Sequence, residues 1–416
     1  MRKVIVLALA GVAGVSVIAA SVAGADSTRL ASPASPSCKQ ALIALTGPYT
    51  GANAVLGIDQ RGWGRVFLSD WNAGRPILGV PKGFKRTKLK ALEADTALNA
   101  QLAATVAVQL RSNKDMVAVN GFSGSQENIA GGPILRRGGM PFVSGSATRA
   151  SLTDPTTLDG RVLKKADAAG KVLAPVFFRR VVPTDKRQAA TDAAFVLTKL
   201  GAKSGDPVMT VDQADAYSIP LTTAITQILE KAGVKVSRES QPAAQTDFTS
   251  LASKAVAQKA KVVVFASQTA SNAQLFLQQL KSKGYTGAFL GTDGVFASSI
   301  FTVPGAYMSS FSLDINTIPV AKPYLAEFNK KYGDTINFGV PSYIAVQMIA
   351  MGISNACSDG KVSRSEVRRE IGKVSIKTSL LDAPIAFDEF GDVVGGVGFT
   401  IFQIGSDGKY NVVQKG

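Results

Sequence analysis

The sequence predicts an α/β protein with two similar lobes, each an open parallel sheet covered by helices. Short apolar runs alternate along the chain with longer stretches whose apolar residues recur every three or four positions, the patterns of strands and helices respectively. This alternation occurs in two series, the second beginning near residue 177. Because alternating strands and helices form parallel sheets, and because 416 residues suffice for two domains, we expect one lobe from each series.

The first series opens the globular part of the chain. It consists of strand 41–45, helix 56–71, helix 93–111, strand 116–119, helix 126–136 and strand 141–143. The first helix should end at Asn72 and Gly74, and the second is predicted from leucine and valine at four-residue spacing. Residues 153–175 interrupt the pattern with polar residues, glycine and lysine, and we interpret them as a surface excursion.

The second series is more regular. Its predicted elements are strand 177–182, helix 186–200, strand 207–211, helix 220–232, strand 234–236, helix 247–258, strand 261–266, helix 270–283 and strand 288–290. The segment 322–332 and the helix 343–356 follow as later additions to the first lobe, and 396–404 with 410–413 form a terminal hairpin. The chain should therefore cross between the lobes several times, and ligand sites favour such interfaces.

Three predicted strands of the first lobe end in small, hydroxyl-rich segments. These are 46–48 (Thr-Gly-Pro), 121–125 (Gly-Phe-Ser-Gly-Ser) and 144–148 (Ser-Gly-Ser-Ala-Thr). In open parallel sheets, ligands bind just beyond the carboxyl ends of the strands, where small residues admit a ligand close to the backbone and hydroxyls form hydrogen bonds. Each segment alone also fits an ordinary turn with a good helix cap. Their repetition favours a polar cradle for a small molecule.

The N-terminus predicts export to the periplasm or the exterior of the cell envelope. Arg2 and Lys3 precede an apolar stretch over 4–20, and small residues at 23–25 fit a cleavage site. We therefore predict a signal peptide at 1–25 and a flexible Ala/Ser/Pro-rich leader at 26–37. An uncleaved membrane anchor is the alternative, and no later stretch is predicted to be long and apolar enough to span a bilayer.

We predict a disulfide between the two cysteines of the chain, Cys38 and Cys357. Cys38 precedes the first strand at the end away from its tip, and Cys357 follows the helical stretch 342–356. If that helix begins near the ligand cleft, both cysteines lie at the far end of one lobe. An oxidising compartment would allow them to pair, whereas two independent thiols are the alternative.

The composition excludes several classes of function. Lysine and arginine number 46 against 30 aspartate and glutamate, so that removing Arg2 and Lys3 leaves 44 − 30, or +14. The densest basic clusters, 82–90 and 364–369, lack the aromatic interleaving of nucleic-acid-binding surfaces, and we interpret them as solvated faces. The absence of histidine excludes Ser-His-Asp catalysis and His-ligated metal sites. We expect no cofactor, no metal and no enzymatic activity.

A set of motifs in fixed order resembles a known family. They are 45–48, 121–125, 141–148 followed by Leu152-Thr153, 178–179 with 183–185, 212–217, 247–248 and 291–294. No single motif is specific, but their order and spacing over residues 40–416 are similar to the type I periplasmic substrate-binding proteins of ABC transporters, in particular the branched-chain amino-acid (Leu/Ile/Val) group. The resemblance implies two Rossmann-like lobes joined by a three-segment hinge. Lobe 1 would be 38–182 plus 316–398, and lobe 2 would be 183–315 plus 399–416.

The resemblance also implies site residues. Ser125 would bind the ligand carboxylate, Ser146, Ala147 and Thr148 would offer backbone and hydroxyl groups, Tyr217 would supply a ring and Asp293 would pair with the ammonium. These roles agree with the physics of burying a zwitterion, whose carboxylate needs donors and whose ammonium needs acceptors. Without the family frame, Asp293 also fits a turn before Gly294, and Tyr217 an aromatic at a lobe surface.

Several positions depart from the family pattern. Tyr49 is expected to supply the ring that the family places near Pro48, and Gln268 stands where amino-acid binders often have an aromatic residue. Arg149 follows the Ser-Ala-Thr triplet at a usually neutral position, where it would meet a second acidic group of the ligand or face solvent. The insertion 153–175 has no clear counterpart.

The sequence therefore predicts an exported, monomeric solute-binding protein. It would capture a small amino acid or related amide between its lobes and deliver it to an ABC permease, with no role in nucleic-acid binding. A ligand-sensing receptor ectodomain of the same fold is the first alternative. A histidine-independent enzyme is the second.

Overall fold

The computed structural model describes residues 38–163, 175–311, 313–395 and 398–415. The predicted signal peptide and leader, 1–37, lie outside the described residues, as does part of the predicted insertion, 164–174. The strands are β1 (Gln40–Gly47), β2 (Lys88–Asp95), β3 (Met116–Asn120), β4 (Phe142–Ser144), β5 (Phe178–Arg180), β6 (Pro207–Asp212), β7 (Lys235–Ser240), β8 (Val262–Ala266), β9 (Ala288–Gly291), β10 (Tyr307–Ser310), β11 (Ala386–Phe387), β12 (Val393–Val394), β13 (Thr400–Ile404) and β14 (Tyr410–Gln414).

The helices alternate with these strands as the sequence predicts. They are α1 (Ala54–Asn72), α2 (Ala100–Ser112), α3 (Ser125–Arg137), α4 (Leu158–Leu163), α5 (Asp185–Thr198), α6 (Ser218–Lys231), α7 (Thr249–Ala257), α8 (Ala270–Ser282), α9 (Lys322–Tyr332), α10 (Val340–Ala356) and α11 (Arg364–Ile371).

The first sheet has five parallel strands in the order β2-β1-β3-β4-β5. Leu45 lies beside Asn120 and Val119 beside Phe142, so the carboxyl ends of these strands meet at one edge. Helices α1, α9, α10 and α11 pack together, and α10 and α11 also contact β3. The later helices therefore complete the lobe that the N-terminal strands begin, as the sequence predicts.

Helix α10 is apolar on every face because it is the core helix of this lobe. The helical stretch Val340–Asp359 meets the length and composition of a membrane span, so the expectation that no later stretch would do so is wrong. Residues 340–354 and Ala356 are buried within the protein, where the apolar residues pack against the sheet and the neighbouring helices.

Strand β2 and the start of α2 differ from the prediction. Residues 93–95 belong to an edge strand rather than to a helix, and α2 begins after Asn99, whose side chain accepts a hydrogen bond from the Leu102 N–H. The edge strand is rich in exposed lysine and glutamate, which is how edge strands avoid pairing with other chains. Because these charged residues interrupt the apolar pattern typical of a buried strand, the sequence does not indicate a strand here. Helix α11 and strand β10 were also not predicted.

The second sheet has seven strands in the order β14-β13-β10-β9-β8-β6-β7. Strands β6 to β10 run parallel to one another, whereas β13 and β14 form the predicted antiparallel hairpin, in which β13 pairs antiparallel with β10. Strand β8 is buried along its whole length and lies in the middle of the sheet. Helices on both faces bury the apolar clusters of this lobe.

Over the residues that the structure describes, the chain passes between the two lobes three times: after β5, after β10 and before β13. Buried apolar side chains mark the crossings, namely Val182, Phe311 and Phe399. The rings of Phe311 and Phe399 lie 6.3 Å apart, which brings two crossings together. The two-lobed fold with a three-segment connection is as predicted.

A disulfide joins Cys38 to Cys357, with Cα atoms 5.4 Å apart. Cys38 precedes β1, and Cys357 follows the last residue of α10. The other end of α10 lies at the strand tips, because a side chain on Gly145 would meet Ser342. The bridge is therefore at the edge of the lobe away from the tips.

Candidate functional site

A small cavity lies between the two lobes, where the carboxyl ends of the parallel strands of both sheets face each other. Its empty volume is about 370 Å³. The lining residues are Pro48, Leu56, Leu98, Ser123, Gly124, Ser125, Ser146, Thr148, Tyr217, Gln268, Asp293, Gly294 and Phe338. The cavity thus contains six of the eight residues predicted to bind ligand. Tyr49 and Ala147 are not among them.

The first lobe presents hydroxyl groups to the cavity. Ser125 begins α3 and is buried, and its hydroxyl makes no hydrogen bond to the residues that the structure describes. The Ser146 hydroxyl donates to the carbonyl of Ser123 at 2.9 Å and accepts from Gln60 Nε2 at 2.8 Å. Gln60 Oε1 also accepts from the Ser123 hydroxyl at 2.6 Å. Gln60, on α1, therefore fixes both serines, a role that the sequence did not reveal.

Ala147 was predicted to contribute backbone groups, but its backbone is already engaged. Its N–H donates to the Ser144 hydroxyl at 3.0 Å, and its carbonyl accepts from Arg180 Nη1 at 3.0 Å. Its methyl group packs in the apolar cluster between the sheet and helices α2 and α3. Ala147 thus supports the turn, while Ser146 and Thr148 on either side reach the cavity.

The second lobe contributes a buried carboxyl–phenol pair. The Tyr217 hydroxyl donates to Asp293 Oδ1 at 2.5 Å, and each residue is 3% exposed. Burial raises the pKa of Asp293 to about 6, although the hydrogen bonds from Tyr217 and Gln188 oppose this shift. Burial also raises the pKa of Tyr217. Neither residue is the exposed turn or surface group that was the alternative interpretation.

Further carboxyls lie close to Asp293. Burial raises the pKa of Asp185 to about 7, and the negative charge of Asp293 is the second cause of this shift. Neither carboxyl oxygen of Asp185 has a well-formed hydrogen bond. Burial also raises the pKa of Asp192, whose Oδ2 accepts from the Ser309 hydroxyl at 3.1 Å. The cavity lining itself contains one carboxyl group and neither lysine nor arginine. This environment favours a cationic group beside Asp293.

Gln268 lines the cavity, whereas Tyr49 lies outside it. Gln268 Nε2 donates to Asp215 Oδ2 at 3.0 Å and to Gln126 Oε1, across the cleft, at 3.3 Å. The Tyr49 ring lies under the guanidinium of Arg61, 4.6 Å from the ring centre. The backbone N–H of Tyr49 donates to Asp95 Oδ1 at 2.7 Å, and this hydrogen bond holds the residue against the edge strand β2. Tyr49 therefore does not line the cavity, and its role in ligand binding stays a prediction.

The apolar wall of the cavity consists of Pro48, Leu56, Leu98 and Phe338. The loop bearing Phe338 is held by the buried carboxyl of Asp59, which accepts from the N–H of Gly339 at 2.6 Å and of Ile336 at 3.2 Å. Sequence reasoning missed this wall. Leu98 was predicted to lie within a helix, whereas it precedes α2. Phe338 lies just before α10 in sequence, and the hydrogen bonds of Asp59 to its neighbours hold it at the cavity.

The chain is similar to known binding proteins in sequence and in fold. The family model described as periplasmic binding protein matches residues 41–409. An amino acid binding protein of Pseudomonas aeruginosa is 25% identical over 332 residues, 78% of this chain and 81% of that protein. The leucine binding protein LivK of Thermotoga maritima superposes with a TM-score of 0.73 and 21% identity, over 89% of this chain and 97% of that chain.

Two further solved structures share the fold. The branched-chain amino acid transporter substrate binding protein LivJ of Streptococcus pneumoniae, solved with isoleucine, has a TM-score of 0.73 and 20% identity over 91% of this chain and 100% of that chain. A solute binding protein of R. palustris, solved with benzoate, has a TM-score of 0.72 and 16% identity over 90% of this chain and 95% of that chain. Because the family model spans nearly the whole globular part, the chain belongs to the periplasmic binding protein family.

Proposed function

We propose that this protein is an exported solute-binding protein that captures a small amino acid or related amide between its lobes and delivers it to an ABC permease. The observation that carries the proposal is the buried Tyr217–Asp293 pair, which lines the same cavity as the Ser125 hydroxyl. An acceptor for an ammonium and a donor for a carboxylate thus line one small cavity. The related P. aeruginosa protein is named for amino-acid binding, and the similar LivJ structure contains isoleucine.

In the proposed complex the ligand ammonium pairs with Asp293. The carboxylate accepts from Ser125, with Ser146 and Thr148 close by and the N-terminus of α3 adding its favourable dipole. Both charged groups lose their hydration on burial, so each needs a partner of this kind. The ligand side chain then packs on Leu56, Leu98 and Phe338, which favours an aliphatic or otherwise apolar group.

We propose the lobe boundaries predicted from the sequence, namely 38–182 plus 316–398 for lobe 1 and 183–315 plus 399–416 for lobe 2. In their support, β1 to β5 share one sheet while β6 to β10, β13 and β14 share the other. Closure of these lobes would bury the ligand, and the higher affinity of the closed state would drive the change. The matching family model describes periplasmic binding proteins, and the similar LivJ structure is a transporter substrate binding protein, which supports a transport rather than an enzymatic role.

A thermal-shift screen tests the proposal. The purified protein is melted with each of a panel of amino acids, their amides and small aromatic acids, including L-isoleucine and benzoate. A ligand at about 100 times its dissociation constant should add roughly 2.7 kcal/mol to the free energy of unfolding. Stabilisation confined to ligands that carry an ammonium group supports the proposal. Stabilisation by benzoate but by no amino acid or amide contradicts it.

A further inference from the structure

We propose that residues 153–163, the described beginning of the insertion, position Arg149 as a latch, which holds the two lobes closed and slows release of the ligand. This inference rests on the proposed function and extends it to two features, Arg149 and the insertion, that the family resemblance leaves unexplained. Arg149 does not line the cavity, so its contribution is to the closed conformation rather than to ligand contact.

Arg149 reaches from one lobe to the other. It follows the tip of β4 in the first sheet, and its Nη1 donates to the carbonyl of Ala216 at 2.5 Å. Ala216 lies between β6 and α6 of the second lobe and directly precedes Tyr217, which bonds Asp293. The latch is therefore attached next to the proposed ammonium site, and it can form only when the two sets of strand tips approach.

The insertion orients the guanidinium. Asp159, on α4, forms an ion pair with Arg149, with 3.1 Å between Asp159 Oδ2 and Arg149 Nη2. The Ser151 hydroxyl accepts a hydrogen bond from Arg149 Nε at 2.6 Å. The Ser151 hydroxyl in turn donates to Asp159 at 2.5 Å. A free arginine would lose considerable rotamer entropy on forming one hydrogen bond to a carbonyl. Asp159 and Ser151 restrict the side chain before closure, so that less is lost when it meets Ala216.

The insertion is itself attached at the hinge. The Thr153 hydroxyl donates to Asp392 Oδ2 at 2.9 Å, and Arg180 donates to Asp392 Oδ1 at 2.7 Å. Asp154 forms an ion pair with Lys186, at the start of α5, at 3.1 Å. The lysine is 72% exposed, so this pair adds little by itself. Together these contacts give α4 a fixed base from which Asp159 holds Arg149.

Besides the exposed Asp154–Lys186 ion pair, two other hydrogen bonds between the lobes join neutral side chains. Gln268 donates to Gln126 at 3.3 Å, and Thr269 donates to Asn53 at 3.2 Å. A hydrogen bond with an ionised donor is about twice as strong as a neutral one. Arg149 should therefore contribute more to the closed state than either neutral pair. Interactions that form only when the lobes are closed act chiefly on the dissociation rate.

The experiment compares Arg149→Gln with the matched control Arg75→Gln, which breaks the ion pair to Asp70, within one lobe, at 2.8 Å. Small-angle scattering without added ligand measures the opening of the lobes, and stopped-flow kinetics with L-isoleucine measures dissociation. We expect Arg149→Gln to increase the radius of gyration and to raise the dissociation rate about tenfold, with little change in the association rate. Arg75→Gln should match the wild type in both.

A double-mutant cycle separates a latch from a general loss of structure. Asp159→Asn should raise the dissociation rate about threefold, and combining it with Arg149→Gln should add nothing, because Asp159 acts through Arg149. Additive effects, or a scattering profile of Arg149→Gln equal to that of the wild type, would overturn the proposal. If L-isoleucine does not bind the wild type, the proposed ligand class is called into question, and the ligand-free scattering alone decides on the latch.

Discussion

Asp293 is where the site distinguishes a zwitterion from other small molecules. Its carboxyl is buried, bonded to Tyr217 and free of any lysine or arginine in the cavity lining. Asp293→Asn keeps the shape but removes the charge, and should weaken amino-acid binding about 100-fold, since losing one partner of a buried charge pair is costly. Titration calorimetry with the best amino acid from the screen measures the effect.

The matched control for this change is Ser123→Ala. The Ser123 hydroxyl also lines the cavity, but it is already satisfied by Gln60 at 2.6 Å. Its loss should weaken binding only a few-fold, the scale of one neutral hydrogen bond. Equal losses in the two variants would contradict the assignment of the ammonium to Asp293.

The raised pKa values predict that affinity and stability respond to pH in opposite directions. Burial raises the pKa of Asp293 to about 6, and burial together with Asp293 raises that of Asp185 to about 7. Pairing with an ammonium requires the Asp293 carboxylate, so affinity should fall about tenfold per pH unit below the pKa. A raised pKa also means that the folded, ligand-free protein binds more protons than the unfolded chain between about pH 4 and 7.

Lowering the pH from about 8 to about 5 should therefore stabilise the ligand-free protein while weakening ligand binding. Thermal melts without ligand and calorimetry with ligand, both across this pH range, check the two signs. Glu127 adds to the stability effect, because burial raises its pKa to about 7. A ligand-free melting temperature that falls towards pH 5 would show that these carboxyls are not buried in solution.

At the scale of residues, the sequence predicts side chains well where a strand tip dictates their position. Ser125, Ser146, Thr148, Gln268 and Asp293 all follow strands whose ends meet at the cleft, and all line the cavity. Ala147 and Tyr49 lie outside the cavity lining, because the direction of a residue within a turn depends on contacts distant in sequence. For Ala147 these contacts come from Arg180, and for Tyr49 from Asp95 and Arg61.

At the scale of elements, burial decides what the sequence can reveal. Apart from β10, the buried strands and amphipathic helices of both series were predicted, because their apolar patterns fit one secondary structure better than the other. Strand β2 was missed, since a charged edge strand has no such pattern. Helix α11 was read as a charged surface, although Val367 and Ile371 on one face are buried and Arg364 Nε donates to the carbonyl of Met116 at 2.8 Å.

Helix α1 offers a test of how its packing shapes the cavity. Gly57 lies against the carbonyl oxygen of Pro48, where an added Cβ would approach to 2.1 Å. Alanine is the better helix former, yet Gly57→Ala should destabilise the protein by about 1–3 kcal/mol, because α1 must move away from the β1 tip. Gly64→Ala, later in the same helix, meets Leu45 at an ordinary 3.4 Å and should be neutral or stabilising by up to about 1 kcal/mol. Denaturant unfolding of both variants checks this, and a stable Gly57→Ala would mean that the contact is not tight.

At the scale of the whole molecule, the order of motifs predicts two lobes with three crossings, but not how the lobes meet. Contacts across the cleft involve residues far apart in sequence, such as Arg149 with Ala216 and Asn53 with Thr269. No local pattern records such pairs. The apolar cluster of the second lobe even includes Leu56 and Phe338, which come from chain segments of the first. The cavity is therefore a property of the closed molecule.

Because the disulfide lies far from the cavity, we expect its removal to lower the stability of the protein without changing its affinity for the ligand. Cys38 and Cys357 are 319 residues apart, so their bridge restricts the unfolded chain over most of its length. Replacing both by serine should lower the free energy of unfolding by about 2–4 kcal/mol, measured by denaturant titration under oxidising conditions. Affinity for the amino acid identified in the screen should stay the same, because the bridge lies at the edge of the sheet away from the strand tips. A large loss of affinity would instead mean that the bridge fixes α10, whose first turn contacts Gly145 beside the cavity.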